Sequence, residues 1–404
     1  MRAAPGLGGF FVDDQAAIRS GVTRDGFGYL GEPVTRGFRG IRDPSPAVVI
    51  VIVTSDGQVA TGDCVAVQYT GVGGREEIFS PLEVATYLNE EIAPRILGSR
   101  LTSFRDLAAR CDEWRWGESP LPSAISYGLT QAFLHAVALA QRRTMAEVIV
   151  EEFATGVELS PVALFAQSGD ERYLSVDRMI LKRVEVLPHG LINSPDKVGP
   201  RGVDFVEYVS WVSRRVRHLS TEAEYRPTLH FDTYGTLGIA CGNQLTELAS
   251  LLSEVGEAAQ PFNVQIEHPI DGGTREAQIL LMSELRRLLK ESTVDVKIVA
   301  DEWCNTLEDI REFVTAGAVD LVHVKVPDVG GLHHSVEALL YLREQGVGRY
   351  FGGSCTETDV SARVSAQVAM ACGANQVLAK PGMGVDEGIQ IMRNEMTRVM
   401  LLTS

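Results

Sequence analysis

The chain has 404 residues, 45% hydrophobic and 22% charged, and its 37 Lys+Arg against 53 Asp+Glu leave a formal net charge of −16. That composition excludes a disordered or fibrous chain, and an acidic balance without any dense basic stretch excludes nonspecific binding to nucleic acid or an anionic membrane. The longest apolar run, Ala47 to Val53, is far below the roughly 18 residues of a membrane helix, and the opening apolar stretch breaks at Asp13 and Asp14, which argues against a cleavable signal and for the cytoplasm.

In chain order, Gly26-Phe27-Gly28-Tyr29-Leu30-Gly31 satisfies GxGxxG but follows no apolar strand and opens no helix, so a dinucleotide site is not expected there. An alternating run over 47–54, the turn Ser55-Asp56-Gly57 and a second run over 58–69 predict an antiparallel hairpin. Gly71-Val72-Gly73-Gly74-Arg75 lacks the Lys and Ser/Thr of a phosphate loop and reads as a mobile loop closing over an active-site mouth. Helical patterns follow over 81–97 and 124–140, and residues 1–155 are expected to form an α+β domain. Beyond them short apolar runs alternate with amphipathic stretches. Strands are expected over 162–166, 179–187, 228–231, 263–266, 296–300, 321–326, 350–351 and 376–379, with helices such as 274–291 and 306–316 between them. This predicts an α/β fold: a (β/α)8 TIM-type barrel over 156–404, with 1–155 as an N-terminal capping domain. The Arg214, Arg215, Arg217 and His218 cluster reads as a solvated helix face, and six scattered cysteines read as reduced thiols.

Three of these runs end on an acid: Asp232, Glu267 and Asp301, separated by 35 and 34 residues. Taken singly, each reads as an N-cap or a solvated loop residue. In a barrel, C-terminal strand ends meet at one face, where three carboxylates repel unless a cation lies between them. Oxygen-only ligation favours Mg²⁺. The run 321–326 alternates, so His323 and Lys325 share a face opposite Val322, Val324 and Val326. An inward Lys beside a divalent cation would have a lowered pKa and act as a base; an outward one would snorkel to water. His189, at the mouth of the second strand, reads alone as a structural histidine, but across a substrate from Lys325 it could serve as a second base.

Several strings join these residues: FVDDQ (11–15), GDCVAVQYTGVGGR (62–75), FAQSGDERY (165–173), LPHGLIN (187–193), ADEWCNTLED (300–309), KVPDVGG (325–331), GGSCTETD (352–359) and LAKPGMGVDEG (378–388). With them the chain resembles the methylaspartate ammonia-lyase family of the enolase superfamily, over essentially its whole length. The resemblance implies an enolase-like fold and elimination of ammonia from 3-methylaspartate, or a close 3-substituted aspartate, to give mesaconate. It implies Asp232, Glu267 and Asp301 as Mg²⁺ ligands, and Lys325 as the base for the (S)-configured C3 proton. It implies His189 as the base for the 3-epimer. Proton removal would give an aci-carboxylate that the metal favours. Gln68, Gln167, His323, Ser354 and Cys355 match substrate-holding positions, and Leu378 matches an apolar wall. K⁺ support and a homodimer are implied as well.

Four positions depart from the family pattern: His323 for a usual Gln, Ser354 for Thr, His268 for Gly and Gly190 for Ala. The first three lie in or beside the expected site and bear on the substrate's side group. An epimerase or dehydratase acting on another carboxylate would use the same metal and bases; a non-catalytic binder would have no need of an inward Lys. His333-His334 opens a helix-like segment and reads as surface, and Cys355 reads as a substrate contact rather than a nucleophile.

Overall fold

Alternation of buried and exposed side chains sets up the first sheet. In this computed structural model, which describes residues 1–222, 224–291 and 294–403, strand β1 (Arg2–Asp13) pairs antiparallel with β2 (Arg42–Val53), and β2 with β3 (Val59–Val65). Ile50 and Ile52 of β2 are buried, while Val49 and Val53 face outward. The predicted hairpin is present, closed by Thr54 and Gln58 around Gly57, whose φ of 84° suits glycine. Helix α2 (Ser123–Gln141) is buried almost all round, as an apolar helix must be. It lies close to β3 because two glycines face each other: a Cβ on Gly62 would come within 2.3 Å of the Gly128 carbonyl oxygen. Helix α1 (Phe104–Glu113) precedes α2, and α3 (Met145–Glu152) follows it behind a Thr144–Glu147 capping box. GxGxxG forms a small hairpin, Thr23–Asp25 with Gly28–Leu30, and opens no helix.

From residue 163 eight parallel strands close into a barrel: β4 (Ala163–Phe165), β5 (Val186–His189), β6 (Thr228–Asp232), β7 (Val264–Glu267), β8 (Val296–Ala300), β9 (Leu321–Val324), β10 (Gly348–Phe351) and β11 (Gln376–Leu378). Most of their residues are buried, as strands covered on both faces require, with Lys297 of β8 the exposed exception. Between them run α4 (Leu174–Leu181), α5 (Val203–Leu219), α6 (Leu245–Ala259), α7 (Arg275–Lys290), α8 (Leu307–Thr315), α9 (Leu332–Glu344) and α10 (Asp359–Cys372), with α11 (Glu387–Thr403) last.

Two expected strands are shortened. The run 179–187 divides, because Met179 and Ile180 form the buried face of α4 and only Val186 onward is strand. The run 321–326 stops at Val324: Pro327 starts a short helix, Val326–Val329, with Lys325 as its N-cap residue. Strand β1 went unanticipated, since its glycine-rich middle acquires strand geometry only by pairing with β2. No disulfide joins the six cysteines. Among the described residues no helix is long and apolar enough to cross a membrane.

The chain divides into two compact units. One comprises Met1–Val162, Val324–Tyr341 and Phe351–Ser404; the other comprises Ala163–His323 and Leu342–Tyr350.

Candidate active site

In the second unit the acids stand where successive strands end. β6 and β7 run in register with Asp232 opposite Glu267, and Asp301 follows β8 directly. All three are buried. His323 of β9 brings Nδ1 to 2.7 Å from Glu267 Oε1 and 3.6 Å from Asp301 Oδ1. One ligand atom from each of Glu267, Asp301 and His323 lies within 4.8 Å of the others. Asp232 instead has Oδ2 3.3 Å from His189 Nε2.

Sequence reasoning missed His230. Its Nε2 sits 2.7 Å from Glu267 Oε2 and its Nδ1 2.9 Å from the Gln265 side-chain oxygen. Burial holds this imidazole down at about 3, so the ring is neutral and has one proton. The carboxylate contact takes that proton and leaves Nδ1 as an acceptor, which the Gln265 amide meets with its N–H when its nitrogen and oxygen, two atoms of like size, exchange places. Phe165 stacks on His230 with centroids 4.3 Å apart, and Tyr350 covers His323 at 4.1 Å, keeping water from both rings. The alternation rule already contained the signal: His230 and Gln265 each lie two residues before an acid and share its face. Glu267 thus accepts one imidazole hydrogen bond on each oxygen, and each oxygen keeps a second lone pair for a cation.

His189 has a defined tautomer. The Leu191 backbone N–H donates to Nδ1 at 3.3 Å, so that nitrogen is the acceptor and the ring's N–H is at Nε2, toward Asp232. Gln167, just beyond β4, is buried, and its amide nitrogen has no hydrogen-bond partner among the described residues. A buried donor left unpaired costs about 1–3 kcal/mol unless a ligand accepts from it. His268 is fully buried, with Nδ1 3.1 Å from Glu302 Oε2.

The first unit assembles a second group. Gln68 donates from Nε2 to Asp13 Oδ2 at 3.0 Å and accepts on Oε1 from the Cys355 thiol at 3.3 Å, and its backbone N–H donates to Ser354 Oγ at 2.9 Å. Arg42 grips the same Asp13 through Nε and Nη2, at 2.7 and 2.8 Å. The Ser354–Cys355 turn hangs on buried Glu357, which accepts from Ser354 N–H at 2.8 Å, Lys380 Nζ at 2.7 Å and Tyr127 O–H at 2.6 Å. Burial pushes the Cys355 thiol up to about 12, so it stays protonated and is no nucleophile. Leu378 is buried at the end of β11. Lys325 is half-buried, and its carbonyl accepts from Asp328 and Val329 N–H, both at 3.0 Å. Arg75, at the end of the glycine-rich loop, is tied to Asp328 in a buried ion pair.

The donor chemistry fits a hard divalent cation. Buried carboxylates gathered at strand ends, with the imidazoles of His230 and His323 against one of them, leave negative charge that an oxygen-seeking ion offsets. Mg²⁺ would be held by carboxylate oxygens, with His323 acting as a hydrogen-bond donor to Glu267 rather than as a ligand.

A closed parallel barrel with acids at successive strand ends, preceded by an antiparallel sheet with helices, defines an enzyme of enolase-type fold. The muconate lactonizing enzyme of Pseudomonas putida shares that fold at a TM-score of 0.59, with 16% identity, covering 81% of this chain and 80% of that one. The chain itself belongs to the methylaspartate ammonia-lyase family: the model described as Methylaspartate ammonia-lyase N-terminus matches residues 1–154, and that described as Methylaspartate ammonia-lyase C-terminus matches 156–404. Methylaspartate ammonia-lyase 1 of Carboxydothermus hydrogenoformans is 49% identical over 399 residues, 98% of this chain and 94% of that protein. The crystal structure of the Mg complex of beta-methylaspartase from Clostridium tetanomorphum matches with a TM-score of 0.93 and 45% identity, covering 100% of this chain and 99% of that one. Methylaspartate ammonia-lyase of Citrobacter amalonaticus, solved containing (2S,3S)-3-methylaspartic acid, matches with a TM-score of 0.96 and 42% identity over 100% of this chain and 98% of that one.

Proposed function

We propose that this enzyme is a Mg²⁺-dependent carbon–nitrogen lyase that removes ammonia from 3-methylaspartate, or a close 3-substituted aspartate, to give mesaconate. The observation that carries the reading is the buried Glu267–Asp301–His323 cluster at barrel strand ends, in a chain that matches its family from end to end. Asp232, Glu267 and Asp301 are the proposed metal ligands. Bound there, Mg²⁺ supplies positive charge against which a carboxylate can gather negative charge when the carbon beside it loses a proton.

Lys325 takes the C3 proton of the (2S,3S) substrate, and its short helix fixes the backbone from which the side chain reaches. His189 is the acceptor for the 3-epimer. To accept at Nε2 the ring must first shift its own proton to Nδ1 and give up the Leu191 hydrogen bond, which makes it the slower base. Gln68, Gln167, His323, Ser354 and Cys355 hold the amino and carboxylate groups, and the unpaired amide of Gln167 supports that role. Leu378 provides an apolar wall. Residues 1–155 act as the capping domain and 156–404 as the catalytic barrel, a division supported by the separate matches to 1–154 and 156–404. K⁺ as an activator, a homodimeric state and a cytoplasmic setting complete the proposal.

Incubation with Mg²⁺, K⁺ and (2S,3S)-3-methylaspartate should give rising ultraviolet absorbance from a new conjugated double bond. Folded protein that gives no rise across pH and metal concentration would overturn the reading.

A further inference from the structure

The segment after Lys325 carries two adjacent histidines that the proposed chemistry does not use. Although expected at the surface, His333 is only 4% exposed. Gly331 makes room for its ring: a Cβ there would lie 2.3 Å from His333 Cε1 and 2.5 Å from Nδ1. The two imidazoles lie with centroids 3.9 Å apart in the first turn of α9, and both point Nε2 at one oxygen, Asp112 Oδ2 near the end of α1, each at 3.2 Å.

We propose that Asp112, His333 and His334 form a binding site for a transition metal of the zinc type, built from residues the carboxylate cluster does not use. The spacing carries the argument. Ligand atoms bonded at about 2.0–2.1 Å in a tetrahedral site stand about 3.3 Å apart, and the two measured edges are 3.2 Å without any movement. Three ligand atoms here fall within 4.8 Å of one another.

A second observation points the same way. The His333 side chain is 5% exposed and its Nδ1 makes no hydrogen bond among the described residues, so contact with Asp112 alone must offset burying the ring. A metal bond at Nε2 supplies what is missing. Two imidazoles and one carboxylate select Zn²⁺, Co²⁺ or Ni²⁺ over Mg²⁺. Asp112 and His334 side chains are 46% and 33% exposed, which leaves an entry path and a position for water. Glu337, four residues past His333, adds negative charge to the same helix. The ion would join the end of α1 to the start of α9 through Asp112 and His333, which are 221 residues apart in sequence.

The full chain, saturated with excess Mg²⁺, is titrated with Co²⁺ and read by visible absorption and calorimetry, so no outcome depends on the lyase reading. The wild type should bind one Co²⁺ per chain with new visible bands, and Zn²⁺ should displace it. Asp112→Asn and His334→Ala should each weaken uptake by more than about tenfold while keeping the wild-type circular dichroism. If His334→Ala fails to fold, the half-exposed, isosteric Asp112→Asn still decides. Equal Co²⁺ uptake and spectra in wild type and Asp112→Asn, or no uptake by the wild type, would overturn the site.

Discussion

Arg75 Nε meets Asp328 Oδ2 at 2.7 Å, with side chains only 1% and 7% exposed. The pair fixes the glycine-rich loop to the short helix whose first carbonyl belongs to Lys325. Removing one partner leaves a buried charge, so Arg75→Ala should lose about 3–5 kcal/mol of stability by urea unfolding. Its rate on (2S,3S)-3-methylaspartate should fall as well. Arg75→Met combined with Asp328→Leu should recover most of the stability. An unchanged urea midpoint in Arg75→Ala would show that water already solvates the pair.

The two proposed bases make separable predictions. Lys325→Ala should lower kcat on the (2S,3S) substrate by at least about 10²-fold, the range of general-base catalysis, while His189→Ala should lower mainly the rate on the 3-epimer. Because the Leu191 N–H occupies His189 Nδ1, the wild type should turn over the epimer more slowly than the (2S,3S) form. Equal losses on both epimers in both variants would contradict the assignment.

His323 donates to Glu267 at 2.7 Å and lies under Tyr350. His323→Gln keeps an N–H donor but changes reach and removes a titratable ring. Relative rates on aspartate, 3-methylaspartate and 3-ethylaspartate should then move toward the methyl substrate. Ratios identical to wild type would remove this residue as a selector of the substrate's side group.

Stability should also depend on pH through His135. Its Nδ1 accepts from the Thr61 backbone N–H at 3.1 Å, and burial lowers its pKa below 6.5. The unfolded chain therefore takes up the proton first. Stability is fully present above pH 6.5 and declines as pH falls from there toward the folded-state value. His135→Asn, which retains an acceptor for Thr61, should flatten the plot of urea midpoint against pH in that window. An unaltered slope would assign the decline to other groups.

What could be read from the sequence follows from where the chemistry sits. Asp232, Glu267 and Asp301 were legible because each ends an apolar run and the spacing is one strand–helix unit, so periodicity alone brings them to one face. His230 and Gln265 obey the same alternation and went unread because no charge marks them. Residues 179–181, expected as the start of a strand over 179–187, belong to α4, since Met179-Ile180-Leu181 is equally apolar in either form and only packing distinguishes the two. The meeting of Asp112 with His333 and His334, and the grip of Glu357 on Ser354, Lys380 and Tyr127, come from tertiary closure and leave no local pattern.

That closure also bears on how the chain is made. The unit that holds Gln68, Ser354 and Cys355 is stitched from the beginning and the end of the sequence, through bonds such as Tyr127 to Glu357 and Thr358 to Asp63, 230 and 295 residues apart. A ribosome emitting this protein releases residues 1–162 long before their partners exist, so those residues must wait half-assembled through most of synthesis. Nascent chains stalled before Phe351 should be cut readily within 1–162, and chains released after α11 should resist the same protease. For this fold, the last segments of the chain complete what the first began.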